Sequence, residues 1–291
     1  MPADPKSPAV DPLDSPAWLV TGCSTGIGRE IARAALKKGY RVAVTARDVS
    51  RVEELAAQHP HRGLPLALDV TVPDQVLAAV RETEAVFGRV DVLVNNAGWG
   101  YLAAVEEGED HQVREMFDTN YFGVVSMIKA VLPGMRSRSS GRIINISSMT
   151  GLVGNPGVAY YCSSKFALEG LTEALSKEMA PLGIRVSLVE PGSFRTDWAG
   201  RSMRETRHLI QDYDATVGAR RAMIRSVDGI QEGDPVRAGE AVVMLAELDD
   251  PPLRLLLGRD IYEAFREKLA SLTESIAEWE SVTLSMGFPD D

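Results

Sequence analysis

Two tyrosines stand side by side in Tyr160-Tyr161-Cys162-Ser163-Ser164-Lys165, and only the second has a lysine four residues later. If this stretch opens a helix, the Tyr161 phenol and the Lys165 ammonium share one face while Tyr160 points elsewhere. A free tyrosine titrates near pH ~10, too weak an acid to exchange protons readily at neutral pH, and a neighbouring cation lowers that value. The pair is therefore a candidate proton-handling couple, against the plainer reading of a surface contact. Ser147 and Ser148 follow an apolar run at 142–146. If that run is a strand of a parallel sheet, the serines lie at its carboxyl end, where open α/β folds place ligands and a hydroxyl could polarise a carbonyl oxygen. Asn120 sits on the apolar stripe of a predicted helix. A buried amide needs partners, so Asn120 is either a satisfied core residue or a member of a polar relay.

A second constellation lies near the start of the chain, in Thr21-Gly22-Cys23-Ser24-Thr25-Gly26-Ile27-Gly28. Glycines there permit a tight turn and let backbone amides approach a pyrophosphate at a helix N-terminus, which makes Gly22, Ser24, Thr25, Gly26, Ile27 and Gly28 candidate dinucleotide contacts. The spacing Gly-x-x-x-Gly-x-Gly departs from the common fingerprint, but the strand before and the helix after are the required context. Where that fingerprint expects a carboxylate for the ribose 2′-hydroxyl, the chain reads Val44-Thr45-Ala46-Arg47. A guanidinium matches phosphate oxygens in a forked geometry, so Arg47 predicts NADP(H) over NAD(H). The alternative is that Arg47 simply pairs with Asp48 or Glu53.

Bringing these groups together requires a sheet. From residue 17 onward, short β-branched runs alternate with helical patterns, the signature of βαβ units. Strands are predicted at 18–20, 41–45, 64–68, 90–94, 142–146, 184–189 and 253–257, each apolar enough for burial on both faces. The expected fold class is α/β, a Rossmann-type doubly wound, mostly parallel sheet of seven strands with helices on both faces. The first helix carries Ile27, Ile31, Ala34 and Ala35 on one face and stops at Gly39, while Pro73 opens a helix running to Phe87. One helix is predicted over 111–132, with Val113, Met116, Phe117, Val124, Ile128 and Val131 on a stripe; after Asn120 it turns apolar nearly all round, as a helix buried against the core or a partner subunit does. Residues 193–233 break the rhythm and are expected to form a substrate lid. Beyond them, 260–280 places Ile261, Phe265, Leu269, Leu272 and Ile276 at helical spacing, an amphipathic helix for packing or assembly.

Composition narrows the function. The 41 acidic residues outnumber the 31 basic ones, a negative field that disfavours nucleic acid and anionic lipid surfaces. No apolar run approaches the ~20 residues of a membrane span. Only Cys23 and Cys162 occur, without a Cys-x-x-Cys spacing, and no helix carries a histidine pair, so neither a disulfide framework nor a metal site is expected and a reducing cytoplasm fits. The proline-rich residues 1–16 lack a secretory pattern and read as a disordered tail, followed by a catalytic domain over 17–258 and a helical extension over 259–291.

Taken together and in this order, Thr21 to Gly28, Asn95-Asn96-Ala97-Gly98, Asn120, Ser148, Tyr161-x-x-x-Lys165 and Pro191-Gly192 resemble the classical short-chain dehydrogenase/reductase family over nearly the whole chain. The resemblance implies that Tyr161 is the general acid/base, that Ser148 orients the substrate oxygen, and that Lys165 lowers the tyrosine pKa and contacts the nicotinamide ribose. It implies that Asn120 holds a relay water, that Asn96, Ala97 and Gly98 line the cofactor, that Asp69 and Val70 flank the adenine, and that Pro191, Gly192 and Thr196 approach the nicotinamide. A homodimer or homotetramer is also implied. Arginine just after the second strand goes with NADP in such relatives, in agreement with Arg47. Two departures stand out: Cys162-Ser163-Ser164 replaces the commoner small residues, and the segment after Thr196 matches no family pattern. Selectivity is expected in that segment and near Trp99, Tyr101, Leu152, Asn155 and Trp198, whose apolar and aromatic character suggests a hydrophobic ketone or alcohol; the resemblance, nearest to steroid and retinol dehydrogenases, implies the same class. The rival classes are a dinucleotide sensor without turnover and an interaction protein docking through the C-terminal helix.

Overall fold

The β-branched runs become strands in the computed structural model, which describes residues 15–198, 200 and 202–288. The first half of the chain forms β1 (Ala17–Val20), α1 (Gly26–Lys38), β2 (Arg41–Ala46), α2 (Ser50–Ala57), β3 (Gly63–Ala67), α3 (Pro73–Phe87), β4 (Val92–Asn95) and β5 (Gly100–Leu102). The middle forms α4 (Asp110–Phe117), α5 (Gly123–Ser137), β6 (Gly141–Ile146), α6 (Ala159–Met179), β7 (Ile184–Pro191) and β8 (Met203–Glu205). The remainder forms α7 (Ala219–Ser226), α8 (Pro235–Glu247), β9 (Arg254–Leu257), α9 (Arg259–Glu278) and α10 (Glu280–Leu284).

Seven strands make one parallel sheet in the order β3-β2-β1-β4-β6-β7-β9, the expected doubly wound arrangement. Val20 pairs with Val44 on one side and Val94 on the other, so the chain leaves β1 at the point where strand order reverses. That is where an open α/β sheet leaves a crevice at its carboxyl edge. One face of the sheet packs against α3, α5 and α6 through residues such as Val80, Met127 and Leu168. The other packs against α1 and α8 through Ile31, Leu36 and Val242.

Three expectations are corrected. The edge strands β3 and β9 are only partly buried, because each has a neighbour on one side alone. The single helix expected over 111–132 is interrupted by a π-helical turn at Asp118–Phe122. Asn120 is buried, as its place on the stripe implied, but the wider turn inserts a residue and the helix is not apolar all round beyond it: Phe122 is exposed. A second parallel pair, β5 with β8, was not foreseen, since three-residue strands carry no readable period.

The expected tail falls mostly outside the described residues. Ser15, within its predicted span, is buried and its carbonyl accepts from the Arg41 guanidinium at 2.8 and 2.6 Å. Helix α9 buries only Ile261 and leaves Leu269, Leu272 and Ile276 exposed. No helix among the described residues is long and apolar enough to cross a membrane.

Candidate active site

The carboxyl end of β1 turns sharply into α1. Gly22 takes φ +72°, and a Cβ there would lie 2.9 Å from the Ala97 Cα. The turn is stapled to the loop after β4: Asn96 Nδ2 donates to the Thr21 and Gly22 carbonyls at 3.0 and 3.1 Å, while the Asn96 and Ala97 amides donate to Thr21 Oγ1 at 2.9 and 3.0 Å. A Cβ at Gly28 would meet Asn96 Nδ2 and, at 2.6 Å, the Gly22 carbonyl. Gly28 thus permits the close packing of the two loops. Helix α1 has no side-chain cap bond and no acidic residue in its first turn, and Thr25, Gly26 and Ile27 at its positive end line the cleft at the carboxyl edge of the sheet, where an anion could be held.

Tyr161 and Lys165 lie one turn apart on α6, both buried. Lys165 Nζ donates to the Ile146 carbonyl at 2.9 Å and lies 5.8 Å from the Tyr161 ring centroid. Ser148, at the end of β6, caps a short turn, its Oγ accepting from the Thr150 amide at 3.2 Å and the Thr150 hydroxyl at 2.9 Å. Burial pushes the Tyr161 phenol up to about 12, opposed by hydrogen bonds with the Ser148, Trp198 and Thr150 side chains. Burial draws the Lys165 ammonium down to about 8, opposed by Glu169. The expected lowering of the tyrosine by Lys165 is therefore not found: loss of water around the phenol outweighs a cation whose donor is turned to a backbone carbonyl.

Asn120 is a satisfied amide. Its Nδ2 donates to the Trp99 carbonyl at 2.9 Å and to Ser164 Oγ at 3.2 Å, and its Oδ1 accepts from the Trp99 amide at 3.0 Å. It clamps the loop after β4 beside Lys165, since a Cβ at Gly98 would lie 3.1 Å from Asn120 Oδ1 and 3.8 Å from Lys165 Nζ.

Behind Lys165 stands a cluster that sequence reasoning missed. Arg254 on β9 reaches Glu169 at 3.2 Å, Glu173 at 3.0 Å and Glu190 at 3.7 Å. Burial, reinforced by Glu169, lifts the Glu190 carboxyl to about 8. Glu169 carried a signal, four residues beyond Lys165 on the same helical face; Glu190 and Arg254 carried none, since only the sheet brings them there.

A cleft of about 1160 Å³ runs along the carboxyl edge of the sheet. Its lining gathers Gly22, Ser24, Thr25, Gly26, Ile27, Arg47, Asp69, Val70, Asn96, Ala97, Gly98, Ser148, Tyr161, Lys165, Pro191, Gly192 and Thr196. Gly28 and Asn120 stand behind the wall and shape it. Arg47 is exposed and lines the cleft, and Asp48, its suggested partner, accepts instead from the Ser50 amide and hydroxyl at 3.1 and 2.7 Å. Arg51 joins Arg47 there, a contact the sequence did not signal. From 193–233 the lining takes Phe194, Trp198, Met223, Ile224 and Val227. The region is pinned by Arg221, which pairs with buried Glu107 and with Glu205 at 3.0 Å.

This geometry can hold a dinucleotide at one end and present a buried phenol to a carbonyl oxygen at the other. A family profile described as short chain dehydrogenase matches residues 17–207. The chain is 39% identical over 269 residues to Oxidoreductase BOA17 of Botryotinia fuckeliana, covering 92% of this chain and 98% of that one. The crystal structure of a short-chain dehydrogenase from Streptomyces avermitilis superposes with a TM-score of 0.88 at 37% identity, covering 94% of this chain and all of that one. An alcohol dehydrogenase from the archaeon Thermococcus sibiricus, complexed with 5-hydroxy-NADP, superposes with a TM-score of 0.69 at 27% identity, covering 84% of this chain and 96% of that one.

Proposed function

Since the chain belongs to the short chain dehydrogenase family and is an oxidoreductase, we propose that it interconverts a ketone and a secondary alcohol with NADP(H), using Tyr161 as general acid and base. The observation that carries this reading is buried Tyr161, backed by Lys165 and lining with Ser148 a cleft continuous with the glycine turn. The uncapped α1 terminus fits a pyrophosphate, and Arg47 with Arg51 fits a 2′-phosphate. NADP recognition by the Thermococcus relative supports the same choice, with NAD(H) the weaker ligand. When bound, the nicotinamide supplies or takes the hydride.

The residues do the rest. Ser148 orients the substrate oxygen toward Tyr161. With its pKa lifted to about 12, the phenol is protonated at neutral pH and ready to donate as a carbonyl carbon is reduced. Lys165 supplies positive charge that steadies the phenolate left behind, and Asn120 holds the Trp99 loop against it and a relay water beyond. Residues 193–233 form the lid, and the apolar side chains there suit a hydrophobic substrate. Two free, buried cysteines fit a cytoplasmic enzyme, and a homodimer or homotetramer follows the family habit.

One observation favours the sensor reading: the Trp198 ring lies 5.5 Å from the Tyr161 ring, in the cleft a substrate must enter. Tyr161→Phe separates the two. Loss of NADPH-dependent ketone reduction with NADPH binding intact supports the enzyme; native protein that binds NADPH and turns over no ketone or alcohol supports the sensor. Arg47→Asp is expected to erase the preference for NADPH over NADH in a fluorescence titration, and an unchanged preference removes Arg47 from the cofactor site.

A further inference from the structure

Arg47, Arg51, Arg204, Arg220 and Arg259 line the cleft, the first two already assigned to a 2′-phosphate, and further arginines lie in and around residues 193–233. Arg204 pairs with Glu115 at 2.7 Å and lies 4.0 Å over the Trp99 ring. Arg221 is committed to Glu107 and Glu205, and Arg225 to Glu205 at 2.6 Å. Arg195 donates to the Gln231 carbonyl at 3.0 Å. Arg220 differs. Among the described residues no carboxylate pairs with it, its nearest acceptor is the weak Met223 Sδ at 3.9 Å, and its Nε is buried without a hydrogen bond.

Its position explains what it faces. Arg220, Met223, Ile224 and Val227 recur at helical spacing on α7 and its last turn, and all line the cleft with Trp198 and Tyr161. The ionisable group beside it is the Cys162 thiol, next in the chain to Tyr161, and burial raises that thiol, so it stands there neutral. Of the carboxylates elsewhere in the cleft, Glu115 pairs with Arg204 and Asp260 accepts from the Ser193 amide at 2.7 Å, while Asp118 and Glu232 line it without pairing with Arg220. A half-buried guanidinium with an unmet donor beside an apolar wall is unfavourable until an anion completes it. Its planar fork matches a carboxylate in two parallel hydrogen bonds.

We propose that Arg220 is the anion-recognition residue of the substrate end of the cleft, and that the natural substrate is an apolar ketone or alcohol bearing a carboxylate. The proposal rests on the oxidoreductase reading for the position of the reacting carbon, but the anion site itself does not need turnover. It narrows the hydrophobic substrate class: the apolar body packs on Met223, Ile224 and Val227 while the acid meets Arg220.

The test uses benzoylformate, benzoylpropionate and benzoylbutyrate, each beside its methyl ester, with native protein, Arg220→Gln and Arg220→Lys. Binding is read by calorimetric titration of the NADP⁺ complex, in which a ketone cannot react, and turnover by NADPH oxidation. The expected result is that at least one acid binds native protein about tenfold or more tighter than its ester, that Arg220→Gln removes this difference, and that Arg220→Lys keeps part of it. The ratio of acid to ester in kcat/KM follows the same order. If no acid is preferred over its ester, or the preference survives Arg220→Gln, the anion site is overturned. Equal reduction of acids and esters sinks the Arg220 role and leaves the oxidoreductase standing. Arginine-dependent binding without turnover keeps the anion site and overturns the reading that it positions a keto acid for reduction.

Discussion

Glu169 offers the sharpest test of how the proton-handling site is tuned. Lys165 is buried, and the group opposing its loss of charge is the Glu169 carboxylate one turn further along α6. Tyr161 on the same helix, Glu190 from β7 and Arg254 from β9 complete the charged surroundings, with Arg254 3.2 Å from Glu169. In Glu169→Gln the carboxylate is gone while shape and hydrogen bonding are nearly kept. An opposite charge at this range is worth about 1–3 pKa units, so the Lys165 midpoint should move from about 8 to about 7 or below. The charged ammonium is the useful form, and it exists below the midpoint; the variant therefore loses activity on the alkaline side. At about pH 7.5 the charged fraction falls from roughly three quarters to roughly one quarter for a one-unit shift, a threefold loss that widens towards tenfold at higher pH and vanishes below about pH 6. The assay is kcat/KM for ketone reduction from pH 5.5 to 9 with NADPH saturating, for native protein, Glu169→Gln and Glu169→Asp. Arg254 keeps Glu173 and Glu190 as partners, so the fold should hold. An alkaline limb at the same pH in native and Glu169→Gln protein refutes the reasoning, whereas a uniform drop without a shift marks a purely structural role.

Two further outcomes follow from burial and close approach. Glu190 binds a proton in the folded state up to about pH 8 that the unfolded chain releases near pH ~4.5, so stability contributed by this group is lost as pH rises across that window. Glu190→Gln should accordingly raise the melting temperature more at pH 8 than at pH 5, by about 2–4 °C for each kcal/mol; equal gains at both pH values would contradict it. Gly28→Ala should cost NADPH affinity tenfold or more, because the added Cβ meets the Gly22 carbonyl at 2.6 Å and must push the glycine turn off its phosphate-binding shape. Unchanged affinity in a fluorescence titration would show that the turn tolerates displacement.

Much of this architecture was readable beforehand because it depends on short-range periodicity. The central strands are continuous apolar runs, and Gly39 does end α1, at φ +101°. What escaped was set by long-range packing. The π-helical turn at Asp118–Phe122 cannot be seen in a hydrophobic pattern: Asn120 is buried as its place on the stripe implied, but Phe122 beyond it is exposed. Tyr161, Lys165, Ser148 and the glycine turn were legible as spaced motifs, and the cleft gathers them. Arg51, Arg220 and the Glu169–Arg254–Glu190 cluster were not, since their neighbours come from distant strands or from a segment without a period.

The direction of the Tyr161 shift bears on the pH window of each direction of the proposed reaction. In water a lysine holds its proton about as tightly as a tyrosine, so a phenolate beside an ammonium is an accessible pair. Removing water from both groups reverses their order, with the phenol at about 12 and the ammonium at about 8. The proton then rests firmly on Tyr161 throughout the physiological range, which suits donation to a substrate oxygen gaining charge as its carbon is reduced. Alcohol oxidation asks the same phenol to surrender its proton first, and Lys165 can assist only while it is itself charged. In the proposed mechanism, burial thereby keeps Tyr161 in the form that donation requires at neutral pH, and moves the window for alcohol oxidation to higher pH. Glu169 sets how far up the pH scale Lys165 stays charged, because it opposes the same desolvation.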